Sequence, residues 1–382
     1  MSETFPRWGL SDVNFLEVDA TEIESQIIST YESIAKRSLA QGDPVRLFLM
    51  SLAAVISQLS QSVNLAARQN LLTYATGENL EALGYYLDTY RLVAQGAKTN
   101  LKFTLNAAQD SVYVIPQGTK VSDGGQINVF ATDEIAQIPV GQTEITVAAT
   151  CMTVGTASNG LPIGALTILV DPLPSISSVI NTDVTSGGSE VESDEALAER
   201  IKLAPSKLSV AGPHDAYVYH ALSYSPSIID VSVYGKDDTP GVVYIHPLLE
   251  GGVLPQSAFL TGLKEFLSGD TIRPLTDTLS VTAATASNYK INFTWYLSTA
   301  DIDKIAQITE QVTQAAETYR LWQQSKNGRD INPDYLIQLL KAAGAKRVLI
   351  TTPVFTKLEK NQVAQCSADT DVTITYGGAE DE

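Results

Sequence analysis

The sequence PVRLFLMSLAAVISQLSQSVNLAARQNLLTYA, residues 44–75, sets the organisation of the chain. Between Arg46 and Arg68 it contains no charged residue. Its apolar residues follow an alternating four-three spacing, which places them on one seam of an α-helix. The seam consists of Val45, Leu49, Leu52, Ile56, Leu59, Val63 and Ala66. This pattern predicts a long helix with heptad spacing.

Two further features of this helix concern what packs against it. Phe48 and Val55 add a second apolar stripe beside the seam, so one partner helix would not cover the whole apolar surface. The other positions carry Ser, Gln, Asn and Ala, which tolerate close contact on several sides and are too polar for a membrane span. Two interpretations follow: the helix is buried in its own domain, or it packs against helices of other chains.

The composition limits the classes of partner. The 382 residues include 25 basic and 43 acidic residues, which gives a net charge of -18. Nucleic acids and anionic membranes bind clustered Lys and Arg, so we expect neither as a partner. Cys151 and Cys366 have no metal-binding or redox spacing, and no disulfide is expected. Residues 1–13 lack a basic segment followed by an apolar run, and we expect a soluble protein that is assembled in the cytoplasm.

The first region, residues 1–95, is predicted to be helical. A first helix is expected over residues 19–40. Its predicted apolar side consists of Ile23, Ile27, Tyr31 and Ile34. Asp43 is a favourable N-cap for the uncharged helix, and Thr76 is one for a short third helix with Glu78 in its first turn.

The second region, residues 96–180, is predicted to be rich in β-structure. Its β-rich runs of four or five residues are separated by turn signals such as Pro116-Gln-Gly118. Several short strands at this spacing predict a small β-sandwich or barrel. The predicted strands cover residues 101–105, 112–115, 127–130 and 144–147.

The remaining residues are predicted to form two α+β domains, 181–276 and 277–382. In the first, Ser193 is expected to cap an acidic helix, and a helix, a hairpin and a second helix follow. Residues 377–382 at the end of the second domain are expected to be frayed. The predicted fold class is α+β multidomain: an N-terminal helical bundle segment, a small β-sandwich or barrel domain, then α+β sandwich domains.

The three histidines and a pair of adjacent acids do not indicate a catalytic site. His214 and His220 lie six residues apart in one predicted helix, about 240° around its axis, so they cannot share a metal ion. His246 lies in a β-run and is predicted to be a packed residue. Asp237 and Asp238 lie in a Pro-Gly turn, where acids are common for backbone reasons.

The remaining candidate motifs also have structural explanations. The acidic residues within 190–195 lack the spacing of a calcium loop and are predicted to cap a helix. The sequence contains no dinucleotide-binding, P-loop, nucleophile-elbow or zinc-protease motif. We therefore predict no catalytic, cofactor-binding or metal-binding residue, no cofactor, and no enzymatic activity.

Four blocks of sequence follow one another in a characteristic order. The first two are Ala75-Thr-Gly-Glu-Asn-Leu-Glu-Ala-Leu-Gly84 and Ile115-Pro-Gln-Gly-Thr-Lys-Val121. The most specific is Gly187-Gly-Ser-Glu-Val-Glu-Ser-Asp-Glu-Ala-Leu-Ala-Glu-Arg-Ile201, and Ala211-Gly-Pro-His-Asp-Ala-Tyr217 comes last. In these blocks the chain resembles the J-like baseplate wedge proteins of contractile phage tails and related contractile injection systems. The positions that match the family motif are Thr76, Gly77, Glu78, Pro116, Gly118, Gly187, Gly188, Asp194, Glu195, Arg200 and Gly212.

The resemblance implies a structural role in the baseplate of a virion tail that is assembled in the host cytoplasm. In that family two copies of the chain join one smaller helical tail protein through a bundle of N-terminal helices. Six such wedges close into a ring around the central hub, and contacts with sheath-initiator and hub proteins are implied as well. The uncharged helix suits a bundle of this kind, because charges would be buried there at high cost.

From spacing alone we place the bundle contacts on one side of the uncharged helix. The predicted contact residues are Val45, Leu49, Leu52, Ile56, Leu59 and Val63. An alternative is a tail-associated receptor-binding or glycan-cleaving protein, since an acidic, β-rich, cysteine-poor chain fits that class too. Trp8, Trp295 and Trp322 are scattered in sequence and do not indicate a sugar-binding groove. A multidomain adaptor outside phage biology is a third interpretation.

Overall fold

The computed structural model describes residues 5–16, 19–209, 212–269, 272–274 and 276–381, which form eight α-helices and sixteen β-strands. The helices are α1 (Ala20–Ala35), α2 (Pro44–Arg68), α3 (Gly77–Tyr85), α4 (Asp194–Leu203), α5 (His214–Leu222), α6 (Ser257–Leu267), α7 (Ile305–Gln323) and α8 (Pro333–Ala342). The first eight strands are β1 (Gly96–Leu105), β2 (Tyr113–Ile115), β3 (Lys120–Asp123), β4 (Val129–Thr132), β5 (Ala136–Ile138), β6 (Glu144–Val154), β7 (Leu166–Leu169) and β8 (Ile176–Asn181). The others are β9 (Ile228–Tyr234), β10 (Val242–Leu249), β11 (Thr278–Val281), β12 (Thr285–Asn288), β13 (Ile291–Ser298), β14 (Arg347–Thr352), β15 (Gln362–Gln365) and β16 (Val372–Glu380).

The chain divides into two compact units. The first consists of residues 1–91 and 193–205, and the second of residues 92–192 and 206–382. The first unit contains α1 to α4, whereas the second contains all the strands and the other helices. The predicted fold class, with N-terminal helices followed by a barrel-like sheet and further α+β sheets, is confirmed.

Helix α2 begins where its predicted cap places it. The carboxylate of Asp43 accepts a hydrogen bond from the Val45 amide at 2.8 Å, and Pro44 occupies the first turn of α2. Helix α1 ends at Ala35 instead of residue 40, because Lys36 adopts a left-handed conformation with φ of 52°. The predicted apolar side of α1 is wrong at Ile34, which is exposed. The packed side is centred nearer to Ile28, about 120° around the axis from Ile34.

The predicted β-rich region forms a nearly closed barrel. Six strands follow the order β7-β3-β4-β6-β1-β8, every neighbouring pair is antiparallel, and β7 also contacts β8. Strand β1 alternates buried and half-buried residues, so that Leu101 and Phe103 fill the interior with Val121 and Phe130. Strands β3, β5, β7 and β8 escaped the sequence prediction, and three of these four contain only three or four residues.

Two α+β layers follow the barrel. Strands β9 and β10 form the predicted antiparallel hairpin, β11 adds to β10 in parallel, and α5 and α6 cover one face through Tyr217 and Phe259. Strands β14, β13 and β16 form the last sheet, whose core includes Phe293 and Trp295 beneath α7 and α8.

The expectation of a frayed C-terminal tail is wrong. Strand β16 continues to Glu380 and pairs in parallel with β13, so that Ser298 lies opposite Glu380. The Glu380 carboxylate also accepts a hydrogen bond from Arg347 Nε at 2.9 Å. Since β13 precedes β16 by some eighty residues, no local signal marks this pairing. Glu382 lies outside the described residues.

Candidate assembly surface

Helix α2 exposes a stripe of large apolar side chains. At about 100° per residue, six of them fall within a sector of about 100°. This surface, the α2 stripe, consists of Phe48, Leu52, Val55, Ile56, Leu59 and Val63. Their exposed fractions range from 39% for Leu52 to 62% for Leu59. At 1.5 Å per residue the stripe is about 22 Å long, which is enough to contact a partner helix over four turns.

A different face of α2 packs within its own unit. Leu49, Ala53, Ser57 and Asn64 are buried, and their sector is centred about 110° from the centre of the stripe. Leu49 packs with Ile28 and Leu39, while Val45 is half-buried beside them. The interpretation of a helix buried in its own domain therefore holds for one face of α2, whereas the stripe is exposed.

The six predicted bundle contacts differ in their surroundings: two pack within the unit and four are exposed. Val45 and Leu49 lie toward the face that packs within the unit. The other four, Leu52, Ile56, Leu59 and Val63, lie on the α2 stripe. Phe48 and Val55, which the sequence places on a second apolar side, complete the same exposed surface.

Asn64 is a polar residue on the buried face of α2, and its hydrogen bonds explain why it is there. Its side chain is buried, its Oδ1 accepts hydrogen bonds from the amides of Phe15 and Leu16 at 2.8 and 2.9 Å, and its Nδ2 donates to the Leu16 carbonyl at 3.0 Å. The Asn64 side chain thereby binds the backbone of residues 15–16. The sequence gives no signal for this role, because the partner groups belong to the backbone of a distant segment.

Arg68 and Tyr74 hold the residues just before this segment. Arg68 donates from Nε to the Val13 carbonyl at 2.7 Å and from its guanidinium to Asp12 at 2.8 Å. The Tyr74 hydroxyl donates to Asp12 at 2.7 Å, and this hydrogen bond, with the Arg68 charge, lowers the pKa of the Asp12 carboxyl. At the other end of the uncharged stretch, Arg46 lies 3.5 Å from a Glu24 oxygen. Both arginines that bound the stretch therefore have partners within the unit.

By length and composition alone, α2 is also the one described helix that would be able to cross a membrane. This differs from the sequence expectation, in which its Ser, Gln and Asn residues excluded a span. The Asn64 side chain forms its hydrogen bonds with backbone of the same unit. The Ser51 hydroxyl donates to the Phe48 carbonyl, and the Ser62 hydroxyl donates to the Gln58 carbonyl, both within α2. Local pairing of this kind lowers the polarity that the sequence suggests.

The acidic motif residues of the first unit connect α3 to α4. Thr76 occupies the predicted N-cap of α3, but its side chain makes no capping hydrogen bond. The Gly77 amide donates instead to Asp194 at 2.8 Å, and Arg91 contacts the same carboxylate at 2.5 Å. Burial opposes ionisation of Asp194, but the Gly77 and Arg91 contacts outweigh it and hold the pKa of this carboxyl below its ordinary value. The carboxylate of one helix therefore caps another.

The other motif residues of this unit are structural as well. Glu78 is exposed in the first turn of α3. Glu195 lies 3.8 Å from the buried Arg7. Arg200 is buried in α4 and donates to the Tyr90 carbonyl.

In the second unit the motif glycines allow close packing. A Cβ atom on Gly187 would lie 2.5 Å from Cδ2 of Phe259, and one on Gly188 would lie 2.4 Å from the Gly155 carbonyl oxygen. The Gly188 backbone also forms two hydrogen bonds with the Asn159 amide group, at 2.8 and 2.9 Å. No other residue type would fit at either position without displacing its neighbours.

The last three motif residues shape turns. The Pro116 carbonyl accepts hydrogen bonds from the hydroxyls of Thr119 and Thr132 at 2.7 and 2.9 Å, and Gly118 has φ of 79°. Gly212 has φ of 68°, and a Cβ there would lie 2.9 Å from both Asp277 and Pro274. Ala211, which begins this motif, lies outside the described residues.

The histidines and cysteines are distributed without forming a site. His246 is buried, with Nε2 3.0 Å from the Tyr234 hydroxyl and Nδ1 3.0 Å from the Thr282 carbonyl oxygen, and burial lowers its pKa. It is the packed residue that the sequence predicts. Cys151 and Cys366 are buried free thiols. Across the part of the chain that the structure describes, no group of three or more His, Cys, Asp or Glu residues is arranged to hold a metal ion.

Comparison with known proteins gives matches along most of the chain. Four family models match: the Baseplate J-like N-terminal domain over residues 42–98, the Baseplate J-like protein barrel domain over 100–188, the Baseplate J-like central domain over 209–283 and the Baseplate J-like protein C-terminal domain over 291–375. Baseplate protein J of Escherichia phage P2 is 30% identical over 193 residues, which are 50% of this chain and 61% of that protein. The match therefore spans less than two thirds of this relative. A cryo-EM structure of the anti-feeding prophage (AFP) baseplate, 6-fold symmetrised, aligns over 94% of each chain with 14% identity and a TM-score of 0.36.

Proposed function

The chain belongs to the baseplate J-like protein family, and on this premise we propose that it is a wedge component which joins other chains through the α2 stripe. The family is one of structural proteins of contractile-tail baseplates, so the place of the chain is the virion tail baseplate. It is a structural component, and its motif residues serve packing and capping.

The observation that supports assembly through α2 is the exposure of the stripe. Six large apolar side chains lie on one face of one helix, each 39% or more exposed. Monomeric soluble proteins rarely expose large contiguous apolar patches. A helix with such a patch typically binds in an apolar groove or packs against a neighbouring helix. The two charged residues of α2, Arg46 and Arg68, form ion pairs within their own unit. A partner helix would therefore bury the stripe without burying an unpaired charge from α2.

The proposed wedge contains two copies of this chain and one copy of a smaller helical tail protein. A stripe about 100° wide exceeds the contact of one helix, which is why we infer more than one partner helix. Residues 1–95 form the bundle region in this proposal. The regions 96–180, 181–276 and 277–382 contact neighbouring wedges in a sixfold ring, with hub and sheath-initiator proteins beside it.

The tryptophans do not support the alternative function, a receptor-binding or glycan-cleaving protein. Trp295 is buried in the core of the last sheet. Trp322 packs against Tyr335, with their ring centroids 4.3 Å apart. These two tryptophans therefore do not form an exposed aromatic surface on which a sugar would stack.

Native mass spectrometry of the chain co-expressed with the smaller helical tail protein tests the proposal. We expect a complex with two copies of this chain and one of the partner. A chain that remains a monomer and does not bind the partner would refute the wedge assignment.

A further inference from the structure

The second unit contains two regions that match separate family models, a central region of residues 209–283 and a C-terminal region of residues 291–375. Two domains of one chain usually move relative to each other unless the interface between them is large and apolar. Here the residues that join them are part of the fold. Strand β12 lies in this connection and pairs in parallel with β15 of the C-terminal region, so that Thr285 lies opposite Gln362.

A small apolar cluster lies where the two regions meet. Leu248 of the central region, Ala284 of the connection and Val363 of the C-terminal region are buried together, and the half-buried Leu254 packs against them. Separating the regions would expose this apolar surface to water. The cluster is small, however, and apolar contact is not directional, so it does not by itself fix an angle between the regions.

Three amide side chains of the C-terminal region supply directional contacts. They donate hydrogen bonds to backbone carbonyls of the central region: Gln324 to Gly251 at 2.6 Å, Gln365 to Gly252 at 2.6 Å, and Asn327 to His246 at 2.9 Å. Gln324 and Asn327 are buried. A buried polar group that loses its partner is costly, so these hydrogen bonds oppose any sliding of one region on the other.

Two further contacts make the arrangement specific. The Asn327 backbone amide donates to the Asp230 carboxylate at 2.8 Å while its side chain donates to His246, so that one residue binds both β9 and β10. Gly252 has φ of +77°, and a Cβ there would lie 2.7 Å from the Gln324 carbonyl oxygen. The backbones of the two regions therefore approach each other at a point where only glycine fits.

We propose that the central and C-terminal regions move as one rigid body, and that the side chains of Gln324, Asn327 and Gln365, the amide clasp, fix the angle between them. Hydrogen bonds are directional, so the clasp sets the orientation that the apolar cluster leaves open. A displacement of the C-terminal region in an assembly then carries the central region with it. This proposal goes beyond the wedge role and does not depend on α2 or on the wedge stoichiometry.

The test measures the distance between the two regions in the full chain by pulsed electron–electron double resonance. Spin labels are attached at Glu265→Cys in α6 and Ala342→Cys in α8, which are exposed positions, whereas Cys151 and Cys366 are buried. With the clasp intact we expect one narrow distance distribution. A broad distribution, or two separate distances, would overturn the proposal without any clasp variant being needed.

A triple substitution, Gln324→Ala with Asn327→Ala and Gln365→Ala, then removes the clasp. We expect the distance distribution to broaden about twofold or more, because relative motion is the behaviour of domains without such contacts. None of the three residues belongs to the apolar core of either region, so circular dichroism is expected to show a folded chain. A distribution as narrow as that of the intact clasp would overturn the role of these side chains.

Two further variants separate the clasp from general effects of the substitutions. Gln307→Ala, Gln311→Ala and Gln314→Ala together remove three exposed amides of α7 and are expected to leave the distribution narrow. Gln365→Ala alone removes one hydrogen bond of the clasp and is expected to broaden the distribution less than the triple substitution does. If the α7 control broadens the distribution as much as the clasp variant, the proposal is wrong.

Discussion

Replacing Leu59 by Asp is expected to abolish association of the chain while its fold remains intact. Leu59 is 62% exposed, so most of its side chain makes no contact in the isolated chain. Full burial of a leucine side chain is worth about 1.5–3 kcal/mol, and the exposed share therefore leaves about 1–2 kcal/mol to be gained on association. Leu59→Asp removes that gain.

The introduced carboxylate adds a larger cost. An uncompensated charge buried in an apolar contact costs about 3–5 kcal/mol. The combined effect is a loss of about 4 kcal/mol or more, which corresponds to an association weakened about a thousandfold. In the isolated chain the same position faces water, so the free energy of unfolding is expected to change by only about 0.5 kcal/mol.

Two variants of α2 provide matched controls. Gln58→Asp places the same charge on the neighbouring residue, which is exposed but lies off the stripe, and is expected to retain association. Leu49→Asp places it on the face that packs against α1, where the side chain is 9% exposed, and is expected to unfold the first unit.

Circular dichroism melting reports the fold in this experiment, and sedimentation velocity with the smaller helical tail protein reports association. The reasoning is refuted if Leu59→Asp associates like the wild type, or if it unfolds the isolated chain. Wild-type chain that binds lipid vesicles, with Leu59→Asp abolishing this binding, would instead identify the stripe as a membrane surface, as the length and composition of α2 allow.

Two further predictions concern the motif residues. Gly187→Ala is expected to lower the free energy of unfolding by about 2–4 kcal/mol, because a Cβ would lie 2.5 Å from Phe259 in addition to the strain of a positive φ. Gly118→Ala, with φ of +79° and no atom within 4 Å of the added Cβ, is expected to lose only about 1 kcal/mol in the same urea unfolding experiment, and equal losses would contradict the packing argument. For Asp194, whose folded-state pKa is lowered, the stabilisation is present above the unfolded pKa of about 4 and is lost as the pH falls through the folded value. Asp194→Asn is therefore expected to melt at a lower temperature at pH 7 and to lack this part of the acid-induced destabilisation; a melting profile from pH 7 to 3 parallel to that of the wild type would speak against the cap at Gly77.

Local signals were sufficient for many elements of this protein. Asp43 with Pro44 marks the start of α2, and Ser193 marks that of α4, because a cap involves only a few consecutive residues. Strand β2 lies within the short β-rich run predicted at residues 112–115, which ends at a turn. The family motif was readable for the same reason, since its glycines and caps belong to continuous blocks of sequence.

Contacts between distant segments were not predictable in this way. The cap of α3 comes from Asp194 on α4, not from the adjacent Thr76. Strand β16 extends to Glu380 because β13 lies beside it in parallel.

Helix α2 shows where the two kinds of information divide. The four-three spacing and the absence of charge determined, from the sequence alone, that the chain has a long helix with more apolar surface than one neighbour would cover. The tertiary structure decided which face stays within the unit, because Ile28 packs against Leu49 and the backbone of residues 15–16 binds Asn64. Periodicity fixes which side chains share a face, but only the segments that arrive from elsewhere in the chain fix which face is covered.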